Sequence, residues 1–313
     1  MKKVLKGNIY FLIVLILEII APFILNTVYS LIGLRDIRIV LFLNHTILFI
    51  IPAIIYVIVT KCNIKETFKF KRLPFKDLIL VIILALFCIP IMNFFGLLSA
   101  MFFENNIGNL MTSISSTPYI ILMLLIAVMP AITEEITLRG IVLSGYDGKG
   151  KFKSALVIGL FFGIFHLDAQ QFLYATVLGF ILAYVVRATG SIFSSMIMHF
   201  ILNGSSITIQ KITSLTSSNL IEQSTDISVQ ALPFNEKLVL LQASLAMTIF
   251  ASVIVFIIIQ KLNNRGKARG VKDIPLGNYN VNGELVESKE RIIDIPFILI
   301  IVVYILTMLL LSR

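Results

Sequence analysis

The chain has 313 residues, of which 58% are hydrophobic and 14% charged, and its mean hydropathy is +0.97. Soluble globular domains average about 45–50% apolar and about 25% charged residues, so the composition excludes a soluble protein and points to a polytopic membrane protein. The net charge of +9 does not imply a nucleic-acid partner, because Lys and Arg cluster in loops between apolar runs, where they act as topology signals.

A spanning helix needs about 20 mostly apolar residues. Nine candidates follow in chain order: 9–33, 38–60, 77–102, 118–145, 154–167, 170–188, 191–210, 237–260 and 294–311. The expected fold is therefore an all-α transmembrane bundle of about eight or nine spans. Met1-Lys2-Lys3 resembles a signal-peptide start, but the apolar run Ile9 to Ile24 has no clear small-x-small cleavage site, so an uncleaved first helix is expected. The fifth candidate is short, and it meets the sixth through the tight connection Leu167-Asp168-Ala169-Gln170. Cys62 and Cys88 give no disulfide framework.

Basic residues fill alternate loops. Lys2, Lys3 and Lys6 precede the first span, Lys61 to Lys76 follow the second, Lys149, Lys151 and Lys153 follow the fourth, and Lys261 to Arg291 follow the eighth. The intervening loops are poor in Lys and Arg, with Arg35 and Arg38 as the exception. This alternation places the N-terminus in the cytoplasm and, with nine spans, the C-terminus outside. Residues 61–77 interleave basic and aromatic side chains, as an interfacial segment on anionic lipid does. Residues 213–228 read as a polar outer loop, and 262–292 as a polar linker without a catalytic motif. The chain divides into N-terminal helices (1–117), a core (118–210), and an outer loop with C-terminal helices (211–313), all within one integral membrane domain. The bias toward Ile, Lys, Asn and Phe suggests an AT-rich bacterial genome and hence a plasma-membrane location.

Ionisable groups inside apolar spans are costly and mark function. Thr133-Glu134-Glu135-Ile136-Thr137-Leu138-Arg139-Gly140 carries three of them between apolar runs. If the fourth and fifth spans form a hairpin turning at Asp147-Gly148-Lys149-Gly150, Glu134 and His166 come level, roughly 20–24 Å from the turn. His199 and Asn203, at i and i+4 on one helix face, reach a comparable depth from the next turn. Glu135 and Arg139 have the spacing and order of a helical ion pair, which assigns them to structure and charge balance. Glu134 points about 100° away and is the freer carboxylate, suited to act as a general base. Phe162, one turn before His166, can fix that imidazole by packing. Hydrogen-bond donation from His199 and Asn203 to an oxyanion would complete the parts needed for amide hydrolysis in an intramembrane cavity. Asp168 either orients His166 or caps the turn. His45 reads as a hydrogen-bonded packing residue and Glu18 as an isolated intramembrane carboxyl.

Glu134-Glu135-x-x-x-Arg139, Phe162-x-x-x-His166 and His199-x-x-x-Asn203, with Gly179 and Thr189-Gly190-Ser191 between them, resemble the CPBP family of intramembrane proteases. That family includes CAAX-prenyl endopeptidases and bacterial bacteriocin-processing or self-immunity proteins (the Abi group). The resemblance covers residues 118–206. It implies water activation by Glu134 with His166 and an oxyanion hole from His199 with Asn203. The family is also described as metalloproteases. No His-Glu-x-x-His motif occurs, and metal-free catalysis is favoured, with zinc on Glu134, His166 and His199 as the alternative. The expected partners are the bilayer and a peptide or membrane-protein substrate. The competing function is a non-proteolytic immunity or interaction protein of the same fold; an ion-coupled transporter is disfavoured by the lack of repeats.

Overall fold

The computed structural model describes residues 3–217, 229, 232–279 and 285–311. The chain forms helices α1 (Lys3–Leu31), α2 (Ile37–Thr60), α3 (Ile64–Thr67), α4 (Phe75–Ala100), α5 (Asn106–Ser113), α6 (Tyr119–Gly145), α7 (Lys151–Phe165), α8 (Ala169–Thr189), α9 (Phe193–Ser217), α10 (Phe234–Ala268) and α11 (Ile295–Leu311). The strands among the described residues are the antiparallel pair β1 (Asn278–Tyr279) and β2 (Leu285–Val286). Most of the loop expected over 213–228 lies outside the described residues.

Six helices, α1, α2, α4, α6, α8 and α10, are long and apolar enough to cross a membrane. The nine segments read from the sequence all fall on helices, but three miss this standard for separate reasons. Helix α7 has 15 residues and α11 has 17, whereas α9 has 25 but carries Ser194, Ser195, His199, Asn203, Ser205 and Ser206. Large apolar side chains such as Phe23, Leu31, Val59, Ile120, Phe250 and Leu310 are exposed, as a lipid-facing surface requires.

Helix α8 is the most buried of the six and packs against α4, α7, α9 and α10. Its approach to α7 depends on small residues: a Cβ at Gly159 would lie 2.7 Å from the Thr176 carbonyl, and one at Gly179 would lie 2.7 Å from Phe162 Cβ. Small residues permit close backbone packing where lipid supplies no hydrophobic drive. Helix α1 closes the other side of α7 by stacking Phe11 on Phe161 at 4.4 Å.

The α6–α7 turn is held by polar chain on its outer side. Buried Arg187 donates to the carbonyls of Lys149 (2.7 Å) and Asp273 (2.9 Å), while Ser288 N–H donates to Gly148 C=O at 2.8 Å. Lys149 Nζ reaches Ser288 C=O at 2.6 Å, so the stretch read as a linker is a cap seated on the turn. Residues 61–77 also depart from the interfacial reading. Phe68 is buried against Gly140, Phe70 lies against Phe193, and Lys69 Nζ pairs with Asp147 Oδ1 at 3.2 Å. Burial pulls the Lys69 ammonium below its ordinary range, against the effect of neighbouring Asp147. Lys65, Lys71, Arg72, Phe75 and Lys76 remain at least partly exposed. The tight α7–α8 seam gives a direct test. Gly159→Leu should lower stability by at least about 1–3 kcal/mol through overpacking, read as the unfolding midpoint in detergent; an unchanged midpoint would contradict the seam.

Candidate active site

Helix α6 does not run as an ideal helix. Met123–Val128 and Ile136–Val142 are π-helical turns on either side of the α-helical segment Met129–Glu135. Such turns are rare, and they often accompany functional sites. Between them Glu134 and Glu135 diverge.

Glu135 turns inward and is fully buried, with Oε1 accepting from Arg139 Nη1 at 3.0 Å. Arg139, also fully buried, donates from Nη2 to Gly179 C=O at 3.2 Å, and its guanidinium lies 4.3 Å from the centre of the Phe162 ring. Glu135 Oε1 also meets His199 Nδ1 at 2.9 Å. A carboxylate can only accept, so this bond assigns the proton to Nδ1 and leaves Nε2 facing Glu134 Oε2 at 3.9 Å.

Glu134 turns toward a cavity of about 300 Å³ whose wall it shares with His166, Glu18, Asn44, His45 and the apolar residues Phe49 and Phe165. Its Oε2 is buried and makes no hydrogen bond among the described residues. His166 Nδ1 lies 2.8 Å from the Phe162 carbonyl, which likewise assigns the proton to Nδ1 and leaves Nε2 as an acceptor. The Phe162 ring stands edge-on to both imidazoles, 4.7 Å from His166 and 5.7 Å from His199. One aromatic ring therefore touches the two histidines and the arginine.

Asn203 Nδ2 donates to Ile126 C=O at 3.0 Å, on the π-helical turn before Glu134. Asp168 caps α8 by accepting from Gln171 N–H at 2.9 Å. Helices α1 and α2 supply the opposite cavity wall. His45 faces Thr133 Oγ1 at 3.2 Å, and Asn44 accepts from Tyr29 at 2.9 Å. Glu18 carried the signal of a charge in an apolar span, whereas nothing local in the sequence joins Asn44 to this cavity.

Glu134, His166 and His199 are the donors a metal reading would use. Among the described residues no group of three or more His, Cys, Asp or Glu side chains is placed to hold a metal ion. His199 turns Nδ1 to Glu135 and His166 turns Nδ1 to a carbonyl, which leaves Nε2 of each neutral ring with its lone pair, the tautomer in which a histidine also binds a metal.

Removing one member of a buried ion pair strands the other charge and typically costs about 3–5 kcal/mol, whereas replacing both is far milder. Arg139→Met should therefore destabilise the protein by about that amount, and adding Glu135→Gln should recover most of the loss in detergent unfolding. Equal damage by the single and double variants would contradict the pairing.

No curated protein and no solved structure matches the chain. Residues 115–205, less than a third of the sequence, match the family model described as type II CAAX prenyl endopeptidase Rce1-like. That segment contains Glu134, Glu135, Arg139, Phe162, His166, His199 and Asn203, but not Glu18, Asn44 or His45. The chain is a multi-pass membrane protein whose central segment is similar to the Rce1-like type II CAAX prenyl endopeptidases.

Proposed function

We propose that this protein is an intramembrane endopeptidase that hydrolyses a peptide bond with water activated by Glu134 and His166. The observation that carries the reading is the unbonded Oε2 of Glu134, buried beside a cavity that His166 also lines. A water seated there donates one hydrogen to Glu134 and the other to His166 Nε2, which orients its lone pair toward a substrate carbonyl. Glu134 takes the proton as the C–O bond forms, then passes it to the leaving amine as the tetrahedral intermediate collapses.

The oxyanion is met by His199. With both ring nitrogens carrying hydrogen this imidazole presents Nε2–H beside Glu134, and its charge faces first the Glu134 carboxylate and then the oxyanion, since Glu135 is already paired with Arg139. Asn203, paired with His199 in that role by the family resemblance, has one amide N–H committed to Ile126 and a second left for an oxyanion. Glu135 and Arg139 keep the charge beneath the site neutral.

The same reading extends to topology. Helices α7, α9 and α11 cross the membrane together with α1, α2, α4, α6, α8 and α10. The N-terminus lies on the cytoplasmic side with the basic loops, in the plasma membrane of a bacterium. Residues 1–117 and 211–313 flank the catalytic helices of 118–210. The substrate is a peptide or membrane protein, and catalysis needs no metal.

The test is hydrolysis of an internally quenched peptide library by detergent-purified wild type, Glu134→Gln and His166→Ala, with and without chelator. Glu134→Gln should lose about 10²–10⁴-fold in rate while inserting normally, and wild-type activity should survive chelation. Wild-type rates in Glu134→Gln, or loss to chelator reversed by zinc, would contradict the mechanism. No cleavage by folded wild type would favour the non-proteolytic immunity reading.

A further inference from the structure

The contact between Asn203 and Ile126 lies beside a gap in the hydrogen bonding of α6. Pro130 has no backbone N–H, and in a continuous α-helix that N–H would bond the carbonyl four residues back, Ile126. The preceding turn is π-helical, with Met129 N–H reaching Leu124 C=O, which makes room for the proline ring. In the α-helical register the Ile126 carbonyl faces Pro130, which cannot donate to it. In lipid a free carbonyl is costly, and a proline inside a membrane helix persists where a neighbouring group replaces the missing donor.

Asn203 Nδ2 is such a donor, at 3.0 Å. Small residues bring α9 close enough. A Cβ on Gly204, the next residue, would lie 2.9 Å from Met123 Cε and 3.9 Å from Ala127 Cβ, so a larger residue there would have to push the Met123 side chain aside. One turn earlier on α9, His199 bonds Glu135. Helix α9 therefore holds α6 at two points, Ile126 and Glu135, and Pro130 and Glu134 lie between them.

We infer that Asn203 is also a positioning residue: besides the amide N–H left for an oxyanion, it supplies the hydrogen bond that Pro130 cannot make and so fixes the rotation of the segment that carries Glu134. This deepens the peptidase reading and rests on it for its effect on rate, but the Asn203–Pro130 coupling is a property of the fold. It separates Asn203 from His199, whose bond to Glu135 bears on the charges of the site.

Restoring the missing N–H provides the test. Full-length wild type, Asn203→Ala, Pro130→Ala and the double variant are compared in detergent by thermal unfolding and by hydrolysis of the quenched peptide library. With Pro130 in place, Asn203→Ala should lower the unfolding midpoint and reduce kcat about 10–100-fold with little change in KM. In the Pro130→Ala background, where the backbone N–H can reach Ile126, the midpoint loss should shrink several-fold and the kcat loss should fall to the part that an oxyanion donor alone carries. Asn203→Leu, close in size and without a donor, should behave like Asn203→Ala.

A side chain serving only as an oxyanion donor would lose the same kcat in both backgrounds and leave the midpoint unmoved in both; that result overturns the inference. If Pro130→Ala is itself inactive, the midpoints decide, since coupling between positions 130 and 203 is measured without turnover. If wild type cleaves nothing, the peptidase reading falls and the same midpoints still decide for or against the cap.

Discussion

The arrangement depends on the ion pair between Glu135 and Arg139, both fully buried. Neither charge can be left alone at that depth, so the pair fixes the face of α6 that turns into the protein. Arg139 is held further by the Gly179 carbonyl and the face of Phe162, and Glu135 by His199. Three other helices, α7, α8 and α9, are thereby referred to one guanidinium and one carboxylate. With Glu135 neutralised, its neighbour Glu134 is left to face the cavity, and this division between adjacent residues underlies the proposed chemistry.

The pair alone does not set the site. The two π-helical turns of α6 each shift the helical phase, by about 100° for one added residue, and so govern where Glu134 points. Rigidity comes from contacts that a lipid environment rewards: close glycine packing between α7 and α8, and side-chain donors for backbone carbonyls. The polar cap on the α6–α7 turn, through Arg187, Asp273 and Ser288, ties the outer end of the same hairpin. The cavity is thus bounded by matched-family helices on one side and by α1 and α2 on the other.

Much of this was legible because it is local. The i,i+4 spacing of Glu135 and Arg139 predicts their contact, and counting back from the turn at residue 150 predicts that Glu134 and His166 meet the same space. What escaped depends on helix rotation and on distant chain. Spacing places His199 and Asn203 on one face, but it does not say that His199 meets Glu135 while Asn203 meets a backbone carbonyl. Phe68 and Phe70 follow a pattern that suits a membrane surface equally well, and only Gly140 and Phe193 show that they pack inward. Helix count was the least legible feature, because a helix that carries polar site residues, as α9 does, falls below the hydropathy of a simple span.

The central claim is that Glu134 acts on water and does not itself attack the peptide bond. A single turnover by excess protein in ¹⁸O-water, followed by mass spectrometry of both the peptide products and the Glu134-containing fragment, tests this directly. The account predicts one ¹⁸O in the new product carboxylate and none in Glu134. Label in the Glu134 carboxyl, with an unlabelled product from that first turnover, would mean a covalent acyl-enzyme and would contradict it.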